Sequence, residues 1–196
     1  MVSSVKKTRR QQILEALAGM LEASPGGKVT TAALAKEVGV SEAALYRHFP
    51  SKVKMFEGLI EFIEETLFSR VNTITQEPLS ALDQCNKILF LLLAFCAKNP
   101  GITRIITGDA LVGEAAKLRS RTAKLFDRLE TQLKQILRQA EVRDGLKLTL
   151  SIAATVSVFI AAAEGKLAQY LRSNFKRLPI ENWDDQWACL VKGVKV

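Results

Sequence analysis

Along most of this 196-residue chain, apolar residues recur every three or four positions, and no segment sustains a period of two. Ile13, Leu14, Leu17 and Leu21 make one stripe. Phe56, Leu59, Ile60, Ile63, Leu67 and Val71 make a second, and Leu118, Leu125, Phe126, Leu129, Leu133, Ile136 and Leu137 a third. Glycine and proline stand where such helices should stop: Pro25-Gly26-Gly27, Gly39, Pro50, Pro78, Pro100-Gly101, Gly113, Gly145 and Pro179. The pattern predicts an all-α fold of about nine helices, near residues 8–23, 30–37, 41–48, 52–74, 79–98, 102–111, 114–141, 147–173 and 182–193.

Charge divides the chain. Residues 1–54 hold nine Lys or Arg against four Asp or Glu, whereas residues 55–196 hold nineteen against sixteen. The net charge of +8 points to a polyanionic partner, and its concentration near the start places that partner's site there. Pro50 and the cap-like Ser51 mark a boundary between a small basic unit, 1–54, and a larger helical unit, 55–196. Residues 1–12 are polar and basic, so no secretory signal is expected, and the apolar runs Ile88–Ala97 and Ile152–Ala163 fall short of a membrane span.

Chemistry-bearing residues are sparse. There is one histidine, His48, and the cysteines 85, 96 and 189 are too widely spaced for a zinc framework. No phosphate-cradling glycine loop, Cys–His pair or loop-borne pair of acids is present, which argues against an enzyme and against cofactors.

The most informative stretch is Thr30 to Phe49. Thr30 or Thr31 can cap a short helix, Ala35 is small where two helices cross, and Gly39 suits a tight turn. Ser41 can cap the next helix, with Glu42 in its first turn. Leu34, Val38, Val40, Leu45 and Phe49 supply the contacts that fix the angle, so the stretch reads as a helix-turn-helix. Its second helix would enter the major groove of duplex DNA. There the small Ala43 or Ala44 would allow close approach, and Arg47 would face the bases. Tyr46, His48 and Lys52 suit phosphates, as do Lys6, Lys7, Arg9 and Arg10 of the leading arm. The plainer alternatives are a capping or surface His48, a packing Tyr46 and a solvated arm.

Leu45-Tyr46-Arg47-His48-Phe49, followed by Ser51-Lys52, resembles the recognition-helix signature of the TetR family of regulators. The resemblance implies a three-helix head and a larger helical body that forms a homodimer on a palindromic site. It also implies DNA contacts from Thr30, Thr31, Ser41, Glu42, Ala43, Tyr46, His48 and Lys52. A narrower likeness, to the nucleoid-occlusion branch of that family, rests on Val40–Lys52, Met55–Glu65, Asn99–Gly108 and Arg172–Lys176, and departs at Asp109–Gly113. It implies a cytoplasmic, nucleoid-associated protein that inhibits division by engaging the C-terminal tail of FtsZ.

Residues 55–110 are compatible with such a partner. Phe62, if exposed, is an aromatic anchor, and Arg70 lies about two turns further along the same face. With Lys98, Asn99, Pro100 and Ile102 they would form a groove with apolar walls and basic rims, suited to an acidic peptide; the plainer reading is a core Phe62 and a solvated Arg70. Residues 147–173 are apolar or small on nearly every face, so this helix is expected to pair with its two-fold mate through Val156, Phe159, Ile160 and Leu167, helped by Trp187. A ligand-responsive repressor is the alternative within the family. It would need a cavity with placed polar groups, for which Thr107, Asp109, Thr155 and Ser157 are the few candidates. A helical interaction module without DNA is a further alternative, against which the basic head argues.

Overall fold

The computed structural model describes residues 8–23, 27 and 29–196; Lys6, Lys7, Pro25 and Gly26 lie outside them. Nine α-helices are present among the described residues: α1 Arg9–Ala23, α2 Thr31–Val38, α3 Glu42–His48, α4 Lys52–Ile74, α5 Ala81–Lys98, α6 Pro100–Ile106, α7 Ala116–Arg143, α8 Ile152–Arg172 and α9 Trp183–Val194. Helices α1 to α3 form a head. The long α4 begins beside it and runs into the body, where its buried face carries Leu59, Ile60, Ile63, Leu67, Phe68 and Val71. The boundary expected after residue 54 therefore falls inside a continuous helix.

Head and body are bound together at a close crossing of α1 and α6. A Cβ on Gly101 would lie 2.0 Å from the Ala18 carbonyl oxygen, so only glycine lets these backbones approach. Three residues on, buried Arg104 donates to the Leu21 carbonyl at 2.7 Å and to Asp109 Oδ2 at 2.5 Å. One side chain thus ties α1, α6 and the following turn.

Two expected boundaries move. The sixth helix, expected at 102–111, starts at Pro100 and ends at Ile106; Gly108, at φ 79°, then leads into a separate 3-10 turn, Asp109–Leu111. Pro100 opens the helix rather than stopping one, because its missing N–H has no intrahelical partner at the first position. Helix α8, expected from residue 147, starts at Ile152. The residues before it pair with the chain end instead: Leu148 bridges Lys195, and the Thr149 amide donates to the Val194 carbonyl at 2.8 Å.

The interior of the body is made by α5, α7, α8 and α9. Tyr170 hydroxyl donates to the Ala97 carbonyl at 3.1 Å, and the Trp183 indole donates to Asn86 Oδ1 at 2.8 Å. Cys85 and Cys96 are fully buried, and burial pushes both thiols up to about 12.

The residues expected at a dimer interface need correction. Val156, Phe159, Ile160, Leu167 and Trp187 are all buried within the single chain, with the Phe159 and Trp187 rings 4.5 Å apart. The large side chains of α8 fill the protomer's own core. Its outer face carries Ala153, Ala154, Ser157, Val158, Ala161 and Glu164, so the helix is not buried on all sides. At 21 residues, α8 has the length and composition of a membrane span, which a core helix can share, and its Val156, Phe159, Ala163 and Leu167 are buried in the protomer's own core.

Candidate nucleic-acid interface

Local hydrogen bonding explains why residues 30–49 fold as they do. Thr30 Oγ1 accepts from the Ala33 amide at 3.2 Å and caps α2. Gly39 takes the left-handed conformation at φ 72°, its amide donating to the Lys36 carbonyl at 3.1 Å while the Val40 amide donates to Ala35 at 2.9 Å. Ser41 Oγ accepts from the Ala44 amide at 3.2 Å and starts α3. Leu34, Ala35, Leu45 and Phe49 are buried against α1 and α4, which fixes the second helix on the head.

That leaves Ser41, Glu42, Ala43, Tyr46, Arg47 and His48 exposed on one surface, with the Tyr46 ring 40% exposed. Ser41, Ala43 and Ala44 stand with Glu42 at the start of the helix and Arg47 and His48 at its end, an arrangement that suits a groove-reading helix. Thr31 and Glu42 are brought together: the threonine hydroxyl donates to Glu42 Oε2 at 2.9 Å, bracing α2 against α3. Two expected phosphate ligands are otherwise engaged. The Arg10 guanidinium lies 5.0 Å from the centre of the Phe49 ring and 3.3 Å from Glu61. The Lys52 ammonium is 2.5 Å from Glu114 Oε1 and 5.6 Å from the centre of the Phe56 ring.

The second expected site is divided. Phe62 is 44% exposed, which settles its place on the surface. It lines a cleft of about 390 Å³ with Asn99 and Ile102, closed by Gln11, Glu15 and Glu22 of α1. The charged groups there are acidic, not the basic rim expected. Ile102 is only 4% exposed and forms a wall rather than an anchor, while Asn99 donates to the Phe95 carbonyl at 2.7 Å. Arg70 lies in another cleft, of about 330 Å³ between α4 and α5, with Ile74, Phe90, Leu91, Ala94 and an ion pair of Lys87 with Glu77. Phe90, 40% exposed, was not among the expected anchors. Its signal was its position off the buried stripe Cys85, Ile88, Leu89, Leu92, Leu93 and Cys96. Lys98 is exposed and Pro100 half-buried at the junction.

A larger cleft, of about 910 Å³, lies between α6, α7 and α8. Ile106, Phe126, Leu167 and Leu171 give it apolar walls, and Arg119, Arg172 and Glu164 stand among them. Burial raises the Glu164 carboxyl above its ordinary value. Of the polar candidates for a cavity, Thr107 and Asp109 reach this cleft; Thr155 is buried and Ser157 faces outward.

A capped helix-turn-helix head on a long-helix body is the architecture of TetR-type regulators, and two family models match the chain accordingly. One, described as bacterial regulatory proteins, tetR family, covers residues 13–59; the other, described as tetracyclin repressor-like, C-terminal domain, covers residues 79–195. Solved structures agree on the fold: a transcriptional regulator FadR from Bacillus subtilis in complex with stearoyl-CoA (TM-score 0.79, 15% identical, covering 93% of this chain and 98% of that one), and the MbdR regulator from Azoarcus sp. CIB (TM-score 0.78, 16% identical, covering 96% and 100%). Much closer in sequence is the nucleoid occlusion factor SlmA of Alteromonas mediterranea, 59% identical over 186 residues, covering 94% of this chain and 95% of the relative. The factor of the same name from Marinomonas sp. is 54% identical and covers 98% of each chain. The chain belongs to the SlmA family of TetR-type regulators.

Proposed function

We propose that the protein is a nucleoid occlusion factor: a DNA-binding regulator, not an enzyme, that acts on division from the chromosome. The observation that carries this reading is the 59% identity to a nucleoid occlusion factor over nearly the whole of both chains, head and body alike. In this reading a homodimer binds palindromic duplex DNA through two copies of α3. Ser41, Ala43 and Arg47 face the base edges, Thr31 and Glu42 brace the pair of helices, and Thr30, Tyr46, His48 and Lys52 take up phosphates. The outer face of α8, with its small residues, is the natural place for the two-fold contact. Bound this way, the protein sits on the nucleoid in the cytoplasm.

The partner would be the C-terminal tail of FtsZ. An acidic tail with apolar anchors finds its basic and apolar counterpart more readily beside Arg70 and Phe90, where Lys87 is already matched by Glu77, than in the Phe62 cleft, whose charged walls are Glu15 and Glu22. Phe62, Lys98, Asn99, Pro100 and Ile102 would then extend the surface towards the α5–α6 junction. The test is FtsZ assembly followed by light scattering with the full-length chain and its duplex. Assembly should fall when both are present, and Phe90→Ala should relieve the block without weakening DNA binding. Full assembly in their presence would overturn the reading. The large cleft between α6, α7 and α8 favours a second one, a ligand-responsive repressor, and in that case FtsZ would be unaffected in the same assay.

A further inference from the structure

Lys52 stands at the first position of α4, where Ser51 caps the helix by accepting from the Lys54 amide at 3.2 Å. A helix start with a lysine beside it is well placed for a backbone phosphate. Yet its ammonium is already held, 2.5 Å from a carboxylate that comes from the body. Glu114 follows the 3-10 turn and Gly113, which takes φ 79°, and lies two residues before α7. Both side chains are partly sheltered, at 29% and 16% exposure, so water weakens their attraction less than at an open surface.

The polarity of this pair is reversed relative to its neighbours. Along the seam between α4 and the start of α7, α4 supplies the acids: Glu57 holds Lys117 at 2.8 Å and Glu64 holds Arg121 at 3.0 Å. Only at the DNA-facing end of this seam does α4 supply the cation and the body the acid. A cavity of about 300 Å³, lined by Val29, Phe56, Asp109, Ala110 and Val112, adjoins Glu114 and gives its turn room to move.

Resting on the DNA-binding reading above, we infer that Glu114 is a built-in competitor for Lys52, a positioning residue that holds the ammonium until a phosphate replaces it. When a free lysine binds a phosphate, one condensed cation leaves the DNA and the affinity becomes more salt-dependent. When Lys52 changes partners, the DNA still gives up its condensed cation, but the ion pair with Glu114 is broken first, and that cost is subtracted from the affinity the contact adds. The DNA-free protein therefore masks one phosphate contact per protomer, and its discrimination rests more on the recognition helix than on backbone attraction.

The experiment measures affinity of the full-length chain, from about 50 to 200 mM salt, for a labelled duplex carrying the palindrome that the wild type selects from a random library. Glu114→Gln removes the competing charge and keeps the size. Its log–log salt slope should stay close to the wild type's, because the same phosphate is neutralised in both. Binding at the lowest salt should tighten roughly threefold, as expected for loss of a modest ion pair. Adding Lys52→Gln to Glu114→Gln should abolish the gain. If Glu114→Gln does not reach the wild-type thermal midpoint, Glu114→Asp serves in its place, withdrawing the carboxylate by one methylene, and its binding should also tighten. A steep wild-type slope with affinity left unchanged by these variants overturns the role of Glu114 alone. A flat wild-type slope overturns the DNA-binding reading and this proposal with it.

Discussion

Glu57 shows how strongly one residue can be fixed by its neighbours. Lys54 and Lys117 stand 2.7 and 2.8 Å from its two carboxylate oxygens. Their hydrogen bonds, Lys117 first, lower its pKa from the ordinary 4.5 to about 2, overcoming the opposing effect of burial. A carboxylate whose folded pKa is depressed adds stability that is complete above its unfolded value and is lost as pH falls through its folded value. The window here runs from about 4.5 down to about 2. Thermal midpoints measured across it should fall more steeply for the wild type than for Glu57→Gln, so the two curves converge at the acid end. Parallel curves would show that the two lysines do not hold the carboxylate in solution. The bridge to Lys117 was not legible in the sequence, because Lys117 lies 60 positions from Glu57 and nothing local joins them. The caps at Thr30 and Ser41 and the turn at Gly39 were legible, because each depends on residues within four positions.

Helix α8 marks where the same sequence reasoning stopped short. An element apolar or small on nearly every face is buried by something, but composition does not say by what. The structure divides the faces by size: Phe159 and Tyr170 go inward, while Ala153, Ala154, Ser157 and Ala161 remain outside. Small residues let a second helix approach closely, so the outer face and the core face should respond differently to substitution. Ala161→Arg should leave each protomer folded and shift sedimentation from dimer to monomer. Phe159→Ala should instead cost about 3–5 kcal/mol of stability by opening a core cavity. A dimer that survives Ala161→Arg unchanged would place the two-fold contact elsewhere. The α4–α5 groove follows the same logic. Phe62 could be singled out from its own helix, but the nearness of Arg70 to Phe90 required knowing that α4 and α5 lie side by side.

At the scale of the whole molecule, head and body behave as one object because several independent ties cross between them. Gly101 seats α6 on α1, Arg104 joins Leu21 to Asp109, and Lys52 reaches Glu114. If DNA binding shifts those ties, linkage requires that anything binding the body and shifting them alters DNA affinity by the factor by which DNA alters its own. A division regulator and a ligand-responsive repressor can both use such coupling, so the fold alone does not separate them. The distribution of binding sites does. An occlusion factor uses DNA as an address, so its sites must mark the chromosome broadly and be sparse where division is allowed. A repressor needs sites only beside the promoters it controls. Mapping chromosomal occupancy in growing cells should therefore show many palindromic sites spread around the chromosome and thinning where the septum finally forms. One or two promoter-proximal sites would transfer the weight to the cleft between α6, α7 and α8, where Arg119 and Arg172 would direct the search to anionic, amphiphilic ligands.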